Sequence, residues 1–144
     1  MAGKNHVERS FRFLFNAKDL SGDLVPGSCQ GGGFVFDQAE MTGVSDGVKN
    51  YLASWPSSDI AAQFHFNDTA TTGAHTVLSA LLGASAALEL DWGQNGAAPT
   101  TGDPKWTGTY TLMEYNMQFS GGKAVAACKF MPTAGAATPA FGVK

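Results

Sequence analysis

The two longest alternating runs in the chain, Lys105–Phe119 and Lys123–Met131, are separated only by Ser120-Gly121-Gly122. Successive side chains of a strand point to opposite faces, so alternation sustained this long commits both segments to β structure. A Gly-Gly pair between two such runs provides the positive φ angles of a tight hairpin. The chain is therefore organised around one long antiparallel hairpin, and its other elements must find partners beside it.

Three shorter runs share the period of two. Arg9–Phe15 sets Phe11, Phe13 and Phe15 against Ser10, Arg12 and Leu14. Ile60–Phe66 places Ile60, Ala62, Phe64 and Phe66 on one face and Ala61, Gln63 and His65 on the other. Ala86–Trp92 turns Leu88, Leu90 and Trp92 inward and Glu89 and Asp91 outward. Phe34-Val35-Phe36 opens a further strand toward Met41. Between these lie Asp19–Gly33, rich in turn dipeptides such as Pro26-Gly27, and the polar Gln94–Pro104 loop.

Only one segment carries a clear helical period. Ala74, Val77, Leu78, Leu81 and Leu82 form a continuous apolar stripe, with Thr72 placed as N-cap and Gly83 as the residue just beyond the C-terminus. Under three turns of helix do not persist alone in water, so the stripe must dock on a sheet. Thr42–Ser58 reads as a loop with a short helical piece, where Val48, Tyr51 and Leu52 share helical spacing and Trp55-Pro56 ends it. The expected fold is mainly β: an antiparallel β-sandwich or partly closed barrel with one short flanking α-helix. Residues 1–131 form a single domain, and 132–144 a C-terminal extended arm or disordered tail.

Composition narrows the function classes. Charged residues make up 15% of the 144 residues, against a typical quarter, which suits a surface largely covered by copies of the same chain. A small secreted β domain would have much the same composition. The net charge of −3 and nine scattered Lys and Arg argue against gripping nucleic acid, which needs clustered cations. The N-terminal MAGKNHVERSFRF lacks the apolar run of a secretory signal, and no stretch is long and apolar enough for a membrane-spanning helix. Cys29 and Cys128 are expected as free buried thiols rather than a disulfide.

No reactive constellation emerges. His65 and His75 have no Cys or carboxylate at ligand spacing. The SCQGGG run lacks the Lys-Ser/Thr ending of a phosphate cradle, so tight packing or flexibility accounts for it. Glu89 and Asp91 share the outer face of one strand, whereas a hydrolytic pair needs opposing elements around a cleft. No Ser has the strand-elbow-helix setting of a nucleophile. The expectation is a non-enzymatic protein with no catalytic residue, no cofactor and no metal.

The order of elements carries more than any single motif. The Thr42-Gly43-Val44-Ser45-Asp46-Gly47 turn precedes the Val48–Ser54 piece, the Ile60–Asp68 strand, the Gly73–Gly83 helix and the Ala86–Gly93 strand. Pro104-Lys105-Trp106-Thr107-Gly108 then leads into a long strand, a Gly-Gly hairpin and a closing strand. Over roughly residues 8–131 this order resembles the major tail (tail tube) protein of long-tailed bacteriophages.

The resemblance implies a virion structural protein: hexameric rings of a helix-flanked β-sandwich, stacked into a tube around the DNA-ejection channel. One sheet of each subunit would join its neighbours in a continuous barrel, removing the edge strands. The channel would enclose DNA without sequence-specific binding, with no membrane involved. Partners would be further copies of the chain and other tail proteins such as the tape measure and tail terminator. Assembly would take place in the host cytoplasm. Candidate lumen-facing residues are Glu89 and Asp91, or Gln63 and His65. Tyr51, Leu52 and Trp55 are candidates for contact between rings, the alternative being a loop folded back on its own core. Alternative assignments are a head decoration or head-tail-associated phage protein, or a small β-sandwich binding module.

Overall fold

The computed structural model describes residues 10–94 and 96–144. Nine strands and one helix follow in chain order: β1 (Phe11–Phe15), β2 (Lys18–Asp19), β3 (Val35–Glu40), β4 (Tyr51–Ser57), β5 (Ile60–His65), α1 (Ala74–Leu81), β6 (Ser85–Trp92), β7 (Pro104–Ser120), β8 (Lys123–Pro132) and β9 (Ala140–Val143). All ladders are antiparallel. The first strand, expected from Arg9, starts at Phe11; Arg9 lies outside the described residues.

The main sheet runs β2-β1-β6-β7-β8-β5, with β9 added beside β7. Period-two alternation sorts its side chains: Ile60, Ala62 and Phe64 are buried on β5, Leu88 and Leu90 on β6, and Ala126, Cys128 and Phe130 on β8. The sheet folds over so that its first and last strands face each other. Phe13 of β1 meets Phe64 of β5 at 5.1 Å and Phe130 of β8 at 5.4 Å between ring centres. One layer thus holds β2, β1, β6 and the start of β7, and the other holds the rest of β7, β8 and β5. The segment 23–30 bridges to the free edge of β5 at Leu24–Phe64 and Gln30–Ala61 without closing a barrel.

Gly121 and Gly122, both at positive φ, form the β7–β8 turn that the sequence predicted. In the SCQGGG run the reason for glycine is close approach: a Cβ on Gly32 would stand 2.8 Å from the indole of Trp92. Trp106, which the alternation leaves ambiguous, is fully buried, and its Nε1–H donates to Tyr110 Oη, which in turn donates to the Ser58 carbonyl. This chain of two bonds satisfies the polar atoms of the largest core side chains.

The helix ends differ from the sequence reading. Gly73, not Thr72, is the N-cap, and it offers no side chain to the first turn. A Cβ at Gly73 would lie 2.3 Å from the Asn67 carbonyl, so the turn before the helix is too tight for another residue. The missing cap comes from Asp23, far away in sequence, whose Oδ2 accepts the Ala74 N–H at 3.0 Å. Gly83 does sit just past the helix in the left-handed region, as expected.

Two further segments bear on the sequence reading. The short helical piece expected around Val48–Ser54 is absent; Tyr51–Ser57 is instead strand β4, paired with β3. A single helical turn with a proline close behind it has no cap and little to bury, whereas the same residues complete a ladder with Val35–Glu40. The tail 132–144 contains β9, which lies on β7 from Thr107 to Pro104, so it is extended and paired.

Candidate functional site

Among the described residues the β3–β4 hairpin forms a separate two-stranded sheet that pairs with no other strand. Phe34 anchors its base, 5.2 Å from the Trp106 ring. Beyond that anchor the hairpin is exposed and apolar. Tyr51, Leu52 and Trp55 are 55%, 58% and 80% accessible, and Val35, Phe36, Met41, Val44 and Val48 are exposed with them. The sequence-predicted contact residues therefore project outward rather than folding back on the core. An isolated two-stranded ribbon is marginal in water, and large apolar side chains left exposed on it suit a contact surface; Tyr51 lies opposite Glu40 and Leu52 opposite Ala39, so these two face opposite sides of the ribbon. At the tip, the Asp46 carboxylate accepts bonds from the Gly43 N–H and the Asn50 side-chain amide, which orders the turn.

The four lumen candidates do not form one site. Gln63 and His65 lie on the outer face of β5, in register with Ala127 and Val125 of β8. Glu89 and Asp91 lie on the outer face of β6, in register with Thr107 and Lys105 of β7. The two pairs belong to opposite layers, so one channel wall can hold at most one of them.

Asp91 also corrects the expectation of an exposed acidic face. It points away from the core, as alternation predicts, yet it is fully buried. The tail covers it: Lys144 Nζ donates to Asp91 Oδ2 at 3.0 Å and stands 4.0 Å from Glu89 Oε1. Asp91 Oδ1 is left without a hydrogen bond. The bond to Asp91 raises the Lys144 pKa above its usual value. Glu89 is also raised, first by hydrogen bonding to Asp91, then by burial and repulsion, against the pull of Lys105 and Lys144. No sequence signal marks this cluster, because Lys144 is 53 residues from Asp91.

His75 Nδ1 lies 2.7 Å from Tyr115 Oη, and its ring packs on Phe66 at 4.8 Å. That contact joins α1 to β7, and burial raises the Tyr115 pKa. Cys29 and Cys128 are free, and burial pushes both thiols up to about 12, far from thiolate reactivity. A cavity of about 410 Å³ opens beside Cys29, between Phe11, Leu24, Pro26, Leu90 and Trp92. Its lining is apolar and offers no nucleophile beyond the protonated Cys29 and the Ser21 hydroxyl, which the Asp19 carboxylate holds. Among the described residues no helix is long and apolar enough to cross a membrane.

No protein-family model matches the sequence, and comparison with curated proteins finds no match. Comparison with solved structures does find a shared fold. A chain of the sheath-tube complex of an extracellular contractile injection system, PVC, in its extended state, superposes with a TM-score of 0.62 at 14% identity. The match covers 98% of this chain and 93% of that one, so the likeness extends over both almost end to end. The SPP1 Dit (gp 19.1) protein, a hub of the adsorption apparatus in phages infecting Gram-positive hosts, aligns with a TM-score of 0.47 at 12% identity. That alignment covers 86% of this chain and 50% of that one. The chain is thus a mainly antiparallel β-sandwich with one short helix, and it shares its fold with a chain of the contractile injection system's sheath-tube complex.

Proposed function

We propose that this chain is a structural, non-enzymatic subunit of a phage-type tail tube, stacking as rings around a DNA-ejection channel within the virion. The observation that carries the reading is the β3–β4 hairpin: a two-stranded arm with many exposed apolar side chains, attached to a well-packed body and paired with no other strand among the described residues. The end-to-end fold likeness to a sheath-tube complex chain supports the same reading. Copies of the chain are the natural cover for the arm. A contact between different patches of successive copies generates rings where the rotation closes and filaments where it does not. Tyr51, Leu52 and Trp55 are the anchors between rings, because large apolar side chains at an exposed site dominate association. Gln63 and His65 are the better lumen candidates of the four, since Asp91 is neutralised beneath Lys144. A channel wall that presents few cations lets DNA pass without holding it.

The test is negative-stain electron microscopy of the purified chain, with light scattering across concentrations. Hollow rods or stacked rings are the expected result. Tyr51→Ala combined with Trp55→Ala should abolish stacking while leaving the melting temperature within about 2 °C of wild type, since both side chains are exposed. A strictly monomeric wild type at all concentrations, with and without tail-tip complexes, would refute the assignment. The apolar cavity beside Cys29 favours one second reading, a β-sandwich module that binds a small apolar ligand. Ligand-dependent melting of a permanent monomer would select it.

A further inference from the structure

The C-terminal strand is attached to the body through a compact, self-contained set of contacts. β9 pairs with β7 at Thr107–Ala140, Trp106–Phe141, Lys105–Gly142 and Pro104–Val143. Phe141 packs edge-on against Trp106 at 4.7 Å and reaches Trp92 at 6.4 Å. Pro139 is buried against Gly108, where a Cβ would stand 2.8 Å from the proline ring. Lys144 closes the strand with its bond to buried Asp91, and its backbone exchanges bonds with Asp103 and Gly102. All four β9 residues are themselves exposed. The connection from β8, Ala134–Thr138, is exposed, has no regular structure and carries no large side chain.

This is the anatomy of an exchangeable strand. A short edge strand held by a self-contained set of contacts, on an exposed connection of small residues, can be given to an identical neighbour with every contact reproduced. We propose that β9 exchanges between copies: the β9 of one chain occupies the β7 edge of the next, linking subunits head to tail. The occupant of the vacated edge is fixed by the structure, because the seat at Pro104–Thr107, the Trp106–Trp92 clasp and the Asp91 carboxylate are shaped for this strand. An open β7 edge would otherwise be an unpaired template. Asp91 provides the discrimination: it is buried with one oxygen unpartnered, so an edge left without the Lys144 ammonium holds an uncompensated carboxylate beside Glu89.

Connectivity decides when the exchange happens. In a free subunit the tethered β9 sees its own edge at an effective concentration on the order of millimolar, so the closed form dominates in dilute solution. Subunits held in contact raise the competing concentration to a similar value, and exchange then ties them together with no new contact surface. The proposal does not depend on the arm β3–β4 or on a DNA channel, so it stands or falls separately from the tube assignment.

The experiment uses the full chain in two forms that each add one cysteine to native Cys29 and Cys128, Thr107→Cys and Ala140→Cys, which face each other in the ladder. After equimolar mixing under mild oxidation, a disulfide between the two forms in excess of that from the out-of-register pair Thr107→Cys and Val143→Cys reports β9 of one chain lying on β7 of the other. The expected result is a mixed-disulfide dimer whose yield rises with protein concentration and in assembled material, and several-fold further with Asp91→Asn added. Mixing each form with wild type controls for the native thiols. The double variant Thr107→Cys with Ala140→Cys reports the closed form as an intramolecular disulfide. An intramolecular disulfide with no mixed dimer at any concentration or in assembled material overturns the exchange. Failure of both disulfides, repeated with Lys105→Cys and Gly142→Cys, overturns the pairing on which it rests.

Discussion

Replacing Asp23 tests whether α1 is held by a cap supplied from outside the helix. In the structure Asp23 Oδ2 accepts the Ala74 N–H at 3.0 Å, and both carboxylate oxygens accept from Asn67 Nδ2, at 3.0 and 3.1 Å. The Asn67 carbonyl in turn accepts the His75 N–H, so one carboxylate orders both the turn before α1 and its first donors. Loss of an N-cap side chain costs about 0.5–2 kcal/mol. Removing a negative charge from a helix N-terminus costs a further ~0.3–1 kcal/mol. Leaving the Asn67 amide unpartnered adds about 1 kcal/mol where the site is partly buried. Asp23→Ala should therefore destabilise by about 2–3 kcal/mol, which for a domain of this size is roughly 5–10 °C in melting temperature. Asp23→Asn keeps an acceptor but not the charge and should cost about half as much. Urea unfolding followed by circular dichroism gives the free energies, and a double-mutant cycle with Asn67→Ala should show strong non-additivity. A loss below about 0.5 kcal/mol for Asp23→Ala, or full additivity with Asn67→Ala, would refute the remote cap.

Three other predictions rest on separate features. Tyr110→Phe removes the hydroxyl that accepts from Trp106 and donates to the Ser58 carbonyl. It leaves two buried groups unpaired, so urea titration should register about 2–4 kcal/mol of lost stability with almost no change in core volume. Ala17→Gly should stabilise, because Ala17 sits at φ 60° in the two-residue turn between β1 and β2. Relief of that strain outweighs the added chain entropy by about 0.5–1 kcal/mol, readable as a higher melting temperature. Glu89→Gln should stabilise at neutral pH, because hydrogen bonding to Asp91 and burial hold the Glu89 pKa above its usual 4.5. An acid with a raised folded pKa favours folding when protonated and opposes it when ionised. The advantage of Glu89→Gln should accordingly disappear as pH falls toward 4.5, and a difference that grows with acidification would contradict it.

Much of the body was legible because its signals are local. Alternation at Ile60–His65, Ala86–Trp92 and the long hairpin accounts for the burial of Ile60, Phe64, Leu88, Leu90 and Phe130, whereas Phe66, expected on the same face as Phe64, lies past the end of β5 and is 46% exposed. The Gly-Gly turn and the residue past the helix were equally local, set by backbone angles that glycine alone adopts without strain. What the alternation could not carry was the identity of each partner. Tyr51–Ser57 looked like a fragment of helix until Val35–Glu40 was available to pair with it. Tyr51, Leu52 and Trp55 stand out in the sequence as large apolar side chains in a connecting segment, but only the strand pairing and burial show them exposed on a hairpin.

Asp91 marks the boundary between the two kinds of information. Parity along the strand is enough to send its side chain off the core face of β6. That this outward position is nonetheless covered follows from tertiary packing alone, because the covering Lys144 is 53 residues away in sequence and follows an exposed edge strand. The helix cap from Asp23 has the same origin. Periodicity reports how a segment divides its own faces, whereas burial and charge pairing depend on what the rest of the chain lays against them.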